Sequence, residues 1–317
     1  KACSHVGIST GNKPKRVVVK AVCPDCGSNH SRRKGIRLDK QRWLCNFCGR
    51  QFTTELMPTD PSAFPRMLLF DIETTPMTVY VWGLYKQRIP HTNVIKEWNI
   101  LSWSAKWLFD DIIHSDVLTP KEAIAGNDKR ILESIWLKLD EADIVIAHNG
   151  DRFDLRKLNA RFIDNDIKPP SPFRSIDTLK IARREFAFSS YKQDYLTKHF
   201  KLPEKLKTEF SLWINCMAGD QEALDRMLDY NRHDTMGLEE VYLKLRPYIR
   251  NHPNLGVLMD RDVCPNCACE FMEELEAVYF TTANQFPVYR CQGCKTPYIR
   301  HKKNLNQVGT NLRSVPK

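Results

Sequence analysis

The stretch RMLLFDIETTP, residues 66–76, decides how the chain is read. Met67 to Phe70 is an apolar run of the kind that forms a buried strand, and it ends in Asp71 and Glu73. Side chains in a strand alternate between faces, so residues two apart share one. Asp71 and Glu73 therefore point the same way. Two carboxylates held that close repel, and the pKa of one rises. A divalent cation with oxygen ligands relieves the repulsion. A strand that simply ends in an acidic turn is the plainer alternative, and the rest of the chain decides between them.

Downstream, three runs rich in β-branched and aromatic residues follow: MTVYVWGLY, ILSWSAKWL and IIHSDVL. The spacing of Ile131, Leu132, Ile135 and Leu139 predicts a helix over about 128–141. DIVIAHN reads as a short strand, RFDLRKLNARFI as a helix and KPPSPF as a break; helices are expected at about 177–188, 191–200 and 220–250. Hairpin strands, then alternating helix and strand, then helices predict a mixed sheet with helices on its faces.

Two further acidic motifs lie on these elements. IVIAHNGDRFDLRKL places Asp154 near a helix start, just after a strand. LDYNRHDTMGLEEVY places Tyr230 and Asp234 four apart, on one helix face. In order, the motifs read D-x-E, H-N-G-x-x-F-D and Y-x-x-x-D. This series resembles the 3′–5′ exonucleases of the DEDD superfamily, in the subgroup with a tyrosine in its third motif. It is most similar to the proofreading exonuclease domains of family B DNA polymerases. SIDTLKIARREF and SSYKQDYLTKHFKL also look like segments between the second and third motifs there. Each motif alone is common; three in order, on the right elements, favour the cation over the acidic turn.

The resemblance covers about 66–250 and implies an RNase H-like α/β fold. It also implies a pair of Mg²⁺ or Mn²⁺ ions held by Asp71, Glu73, Asp154 and Asp234, with Asp71 bridging the two. Tyr230 would orient the attacking water, since a phenol of pKa about 10 is a poor base at neutral pH. Thr74, Asn149 and Phe153 would line the terminal-nucleotide pocket. The family's other subgroup carries His-x₄-Asp; His233 is followed by Leu238 at that spacing, so it reads as a neighbour of the site. The implied activity is 3′–5′ exonucleolytic hydrolysis of single-stranded DNA. An exoribonuclease and a non-catalytic nucleic-acid adaptor are the alternatives.

Charge is unevenly spread. Residues 1–65 hold 12 Lys/Arg and 4 Asp/Glu, residues 66–261 hold 29 and 29, and residues 262–317 hold 7 and 5. A neutral body between basic ends suggests a catalytic part flanked by polyanion-binding parts, with nucleic acid, DNA preferred, as partner. The absence of any run of about 18 apolar residues argues against a membrane span. The opening stretch has no apolar signal segment, and an intracellular setting, cytoplasmic or in the nucleoid or nucleus, is expected.

The basic ends contain paired cysteines. Cys23 and Cys26 are followed by Cys45 and Cys48; Cys264 and Cys267 are followed by Cys291 and Cys294. C-x₂-C twice at such separation is the spacing of a structural zinc site, with four thiolates and no open position. Two Zn²⁺ are expected; disulfides are the rival, and they suit secreted chains. Arg32, Arg33, Arg37 and Trp43 lie between the first two pairs. This segment resembles the zinc ribbons of transposases and transcription factors, where cations meet phosphates and aromatics stack on bases. The second ribbon, more acidic around Glu270 to Glu276, is a candidate for docking protein partners. Of the remaining cysteines, Cys3 is expected to be disordered, Cys216 to be ordinary packing, and Cys269 is an alternative ligand that could replace a neighbouring cysteine. The expected layout is a ribbon at 1–57, a linker at 58–65, the nuclease domain at 66–255, and a ribbon with basic tail at 256–317.

Overall fold

The computed structural model describes residues 23–28, 31–37, 40–55, 64–202, 208–259, 261–282, 284–300 and 312–314. Most of the expected linker and of the basic C-terminal tail, and Cys3, lie outside them. Three strands form the N-terminal ribbon: β1 (Ser31–Arg37), β2 (Lys40–Cys45) and β3 (Gln51–Glu55), antiparallel in that order.

The body is built on a five-stranded mixed sheet. Its strands are β4 (Met67–Thr74), β7 (Ile100–Trp107), β8 (Ile113–Val117), β9 (Ile144–Ala147) and β10 (Arg174–Asp177). Their order is β10-β9-β4-β7-β8. β9 runs parallel to β4 and β10, whereas β7 is antiparallel to β4 and β8. A short ribbon of β5 (Thr78–Val79) and β6 (Val94–Lys96) stands between β4 and β7 in the chain.

Helices α1 (Pro120–Ala125), α2 (Lys129–Glu141) and α3 (Asp154–Asp164) come next. They are followed by α4 (Thr178–Glu185), α5 (Gln193–His199), α6 (Phe210–Met217), α7 (Gln221–Leu245) and α8 (Leu255–Met259). The helix expected at 128–141 is α2, and its four predicted apolar residues are all buried. Several elements were not legible. α6 was missed, and α1 was missed although Thr119 and Glu122 form a capping box before its first turn. The edge strand β10 was missed because only two of its four residues are buried. MTVYVWGLY, read as a strand, forms one only at Thr78–Val79, because its partner β6 is three residues long.

The alternation along β4 sorts the core into two layers. Leu68, Phe70 and Ile72 join a cluster with α2, α3, α6 and the first half of α7. Met67 and Leu69 join the other, with α4, α8 and the second half of α7. Burial on both faces matches the near-continuous apolar run of β4. Arg161 makes a two-pronged ion pair with the fully buried Asp128 at 2.7 and 2.8 Å, and the Ile100 N–H donates to the same carboxylate at 2.9 Å.

The C-terminal ribbon comprises β11 (Met272–Phe280), β12 (Gln285–Cys291), β13 (Pro297–Arg300) and β14 (Leu312–Ser314). It is anchored to the body. Val263 and Ala268 enter the second core cluster. The Asn266 amide donates to the carbonyls of Arg246 and Ile249, and the Thr296 hydroxyl to that of Pro247. Part of the surface considered for protein docking is thus used on the chain's own body, and α8 runs across the expected boundary at 255/256.

Candidate active site

Asp71 and Glu73 continue the Met67/Leu69 face of β4, as the period of two requires. Across the sheet, Asp71 pairs with Ser104 and Glu73 with Ser102 on β7. These two small residues alternate with the buried Leu101, Trp103 and Ala105. They leave room for α7 and supply its hydrogen bonds: Ser102 Oγ donates to Asn231 Oδ1 at 3.2 Å and Ser104 Oγ to the Asn231 carbonyl at 2.7 Å. Docked in this way, α7 brings Asp234 to the strand. One carboxylate oxygen each from Asp71, Glu73 and Asp234 lie within 4.8 Å of one another.

Asn231 escaped the sequence reading. It is fully buried, and its Nδ2 donates to Asp71 Oδ2 at 2.7 Å. Its only sequence signal is its place next to Tyr230. Tyr230 sits one turn before Asp234, with its ring edge-on to Trp213 at 6.3 Å. From α5, the Gln193 amide donates to the Asp234 carbonyl at 2.7 Å. His233 is exposed, and its Nδ1 donates to the Asp229 carbonyl at 2.9 Å.

Asp154 stands beside the three carboxylates rather than among them. It is almost wholly buried, and its Oδ1 accepts from the N–H of Ile72, the residue between Asp71 and Glu73, at 3.2 Å. Burial pushes its carboxyl up to about 7. The Ile72 N–H pulls it down, and the charge of Asp177 adds a smaller upward push. A buried carboxyl near neutrality is poised to ionise when a positive charge arrives.

The loop that delivers Asp154 is held by Asp177, a second residue that sequence reasoning missed. Asp177 Oδ1 accepts from the N–H groups of Asn149, Leu179 and Lys180, so it caps α4 and fixes Asn149 at φ +69°. A Cβ on Gly150 would lie 2.4 Å from that of Ala147, so the turn admits only glycine. Phe153, the N-cap of α3, is 38% exposed, with Lys157 Nζ 5.2 Å from its ring centroid. Thr74 is half-buried at the end of β4, next to Glu73.

Both cysteine quartets converge. The Sγ atoms of Cys23, Cys26, Cys45 and Cys48 lie within 4.8 Å of one another, and so do those of Cys264, Cys267, Cys291 and Cys294. Pairs across each quartet stand 3.5–3.6 Å apart. That is far beyond a disulfide bond and close to the edge, about 3.8 Å, of a tetrahedron with Zn–S bonds of about 2.3 Å. Backbone N–H groups of Cys48 and Phe47 lower the Cys45 thiol, while the neighbouring sulfurs push Cys26 and Cys48 up, as expected of four thiols crowded around one point. Both quartets thus fit zinc ribbons. Cys269 is buried against the second quartet, and Cys216 is core. Arg32, Arg33 and Arg37 lie on β1 and Trp43 on β2, where Trp43 pairs with Arg33 and Phe52.

A family model matches the body of the chain. The family model RNase_H_2, described as RNase_H superfamily, matches residues 68–246, more than half of the chain. Among solved structures, the chain is similar to the family B DNA polymerase of the hyperthermophilic archaeon Pyrobaculum calidifontis. The identity is 14% and the TM-score 0.41, over 62% of this chain and 27% of the polymerase. No curated protein matches the sequence.

Proposed function

The chain belongs to the RNase H superfamily, and from that premise we propose that it is a metal-dependent 3′–5′ exonuclease acting on single-stranded DNA. The observation that carries the proposal is the convergence of Asp71, Glu73 and Asp234 within 4.8 Å, with Tyr230 one helical turn away. The donor set is all carboxylate oxygen, which suits Mg²⁺ or Mn²⁺. Asp71, Glu73 and Asp234 would hold one ion, and Asp154, in its ionised form, would support a second together with Asp71. Such ions, when bound, supply an activated water and neutralise charge on the phosphate and the leaving oxygen.

The protein's own groups do the positioning. Asn231 fixes the rotamer of Asp71. The Tyr230 hydroxyl, its ring braced by Trp213, orients the attacking water by hydrogen bonding. Asn149, Phe153 and Thr74 take the terminal nucleotide. Each Cys₄ group holds one structural Zn²⁺. The segment 66–255 is the catalytic unit, and the ribbon of residues 1–57 draws nucleic acid to a body of zero net charge through Arg32, Arg33, Arg37 and Trp43.

The test is digestion of 5′-labelled single-stranded DNA, the matching RNA and a circular single strand. The expected result is a Mg²⁺-dependent ladder shortening from the 3′ end on DNA, with the circle intact and Asp71→Asn inactive. Preference for RNA would move the substrate class. Absence of hydrolysis under all metals, with nucleic acid still bound, would make the chain an adaptor.

A further inference from the structure

β4 does not pass directly to β7. Residues 75–99 leave the sheet and return, and their two stems are clasped. The Thr75 N–H donates to the Asn99 carbonyl at 3.0 Å, the Asn99 N–H to Thr75 Oγ1 at 2.9 Å, and the Thr75 hydroxyl to Asn99 Oδ1 at 3.0 Å. Farther out, β5 pairs with β6, and the Tyr80 N–H donates to the Asn93 carbonyl at 3.0 Å. Lys96 ties the base to α1 through the Ile124 carbonyl at 3.2 Å. The segment is therefore an arm with closed ends, presented from the strand that carries Asp71 and Glu73.

The arm is chemically unusual. Beyond the clasp it turns Tyr80, Trp82, Leu84 and Tyr85 outward, with Trp82 and Leu84 100% exposed. Four large apolar side chains exposed within six consecutive residues offer an interaction surface. Its charge selects the partner: residues 78–96 carry Lys86, Arg88 and Lys96 and no Asp or Glu, and the one acid of the 75–99 segment, Glu97, stands at its foot near Lys157. Aromatic rings interleaved with cations and free of acids complement a strand of bases and phosphates.

Position supports the same partner. Thr78 follows Glu73 by five residues, no more than about 18 Å of extended chain. At the arm's foot, Lys157 Nζ stands 3.6 Å from the centroid of the Trp98 ring and 5.2 Å from that of Phe153. Phe153, Lys157 and Trp98 thus form a continuous strip of rings and positive charge, leading from the Asp154 helix to the arm.

We propose that residues 78–96 are a stacking arm that grips the single strand feeding the carboxylate site, upstream of its 3′ end. Which strand is gripped rests on the nuclease reading above; the grip itself rests on the arm's own chemistry.

The experiment uses the full chain and fluorescein-labelled dT20. Binding is measured by anisotropy in an Asp71→Asn background, with and without Trp82→Ala/Tyr85→Ala. Both rings are exposed, so the melting temperature should hold while dT20 affinity falls at least about tenfold. A second variant, Lys86→Ala/Arg88→Ala, should flatten the slope of log K against log salt by about 1.4. In the Asp71-intact chain, the aromatic variant should lose about tenfold more kcat/KM on dT20 than on dT3. Unchanged dT20 affinity in the folded aromatic variant, with wild-type hydrolysis present, would overturn the arm and leave the nuclease reading standing. Loss of dT20 affinity in the folded aromatic variant, with no hydrolysis by the wild-type chain on any substrate, would support the arm and overturn the nuclease reading. If the aromatic variant only converts a dimer to a monomer in sedimentation, with dT20 affinity unchanged, the surface is a self-association face and the arm is refuted.

Discussion

Asn231 offers the sharpest test of how the site is held together. Its side chain has one donor on Asp71 and one acceptor on Ser102, and it is fully buried. Asn231→Ala removes a hydrogen bond to a charged group, worth about 1.5–3 kcal/mol, and lets the Asp71 carboxylate swing. Loss of an outer partner of a metal ligand typically weakens metal affinity about 10- to 100-fold, or about 1.4–2.7 kcal/mol. The two ranges overlap, so most of the bond's worth should appear in metal affinity. The assay is the initial rate of 3′-end hydrolysis of labelled DNA against Mg²⁺ concentration. Half-saturation should move to about 10- to 100-fold higher Mg²⁺, with the maximal rate partly recovered at the top of the titration. Ser102→Ala removes only the neutral bond that orients Asn231, about 0.5–1.5 kcal/mol, and should shift half-saturation less. Wild-type Mg²⁺ dependence in Asn231→Ala would refute the positioning argument. If the melting temperature alone fell, Asn231 would be a packing residue.

Other expectations follow from the same contacts. Asp234→Asn should abolish hydrolysis while retaining binding of dT20, because it removes a ligand from a polar site; activity at matched Mg²⁺ would remove Asp234 from the machinery. Elemental analysis should find about two Zn²⁺ per chain, and eight freely titrating thiols in the folded protein would contradict the ribbons. Deleting residues 1–60 should weaken DNA binding and flatten its salt dependence, since 12 of the 48 Lys/Arg lie in residues 1–65; equal salt slopes would reject the ribbon as a clamp. Burial lowers the His252 imidazole to about 4, and it stays neutral, accepting from the Tyr242 hydroxyl at 2.8 Å. The unfolded chain then binds this proton more readily between about pH 6.5 and 4, so stability is full above that window and falls as pH drops through it, by about 3 kcal/mol. Urea unfolding of wild type and His252→Phe at pH 7 and 4.5 should show the variant losing that part of the pH dependence.

The sequence by itself determined what depends on local periods and spacings. The two-residue repeat of β4 set Asp71 and Glu73 on one face. The four-residue step placed Tyr230 and Asp234 together on α7, and two residues between cysteines aimed each sulfur pair at one point. These are properties of a few adjacent peptide units, so they survive without knowledge of neighbours. Tertiary structure alone decided what those elements meet. Asn231 grips Asp71 across 160 residues of chain, and Ser104 receives α7 across 127. ILSWSAKWL looked like another apolar run until the structure turned Ser102 and Ser104 toward the carboxylates. β10 exists because β9 offers it a parallel edge. Asp154 lies beside the three carboxylates rather than among them, its Oδ1 on the Ile72 N–H, a contact across 82 residues that no local pattern reveals. MTVYVWGLY has the composition of a strand, yet it ends as an exposed arm, because a strand needs a partner along its length and β6 covers only its first residues.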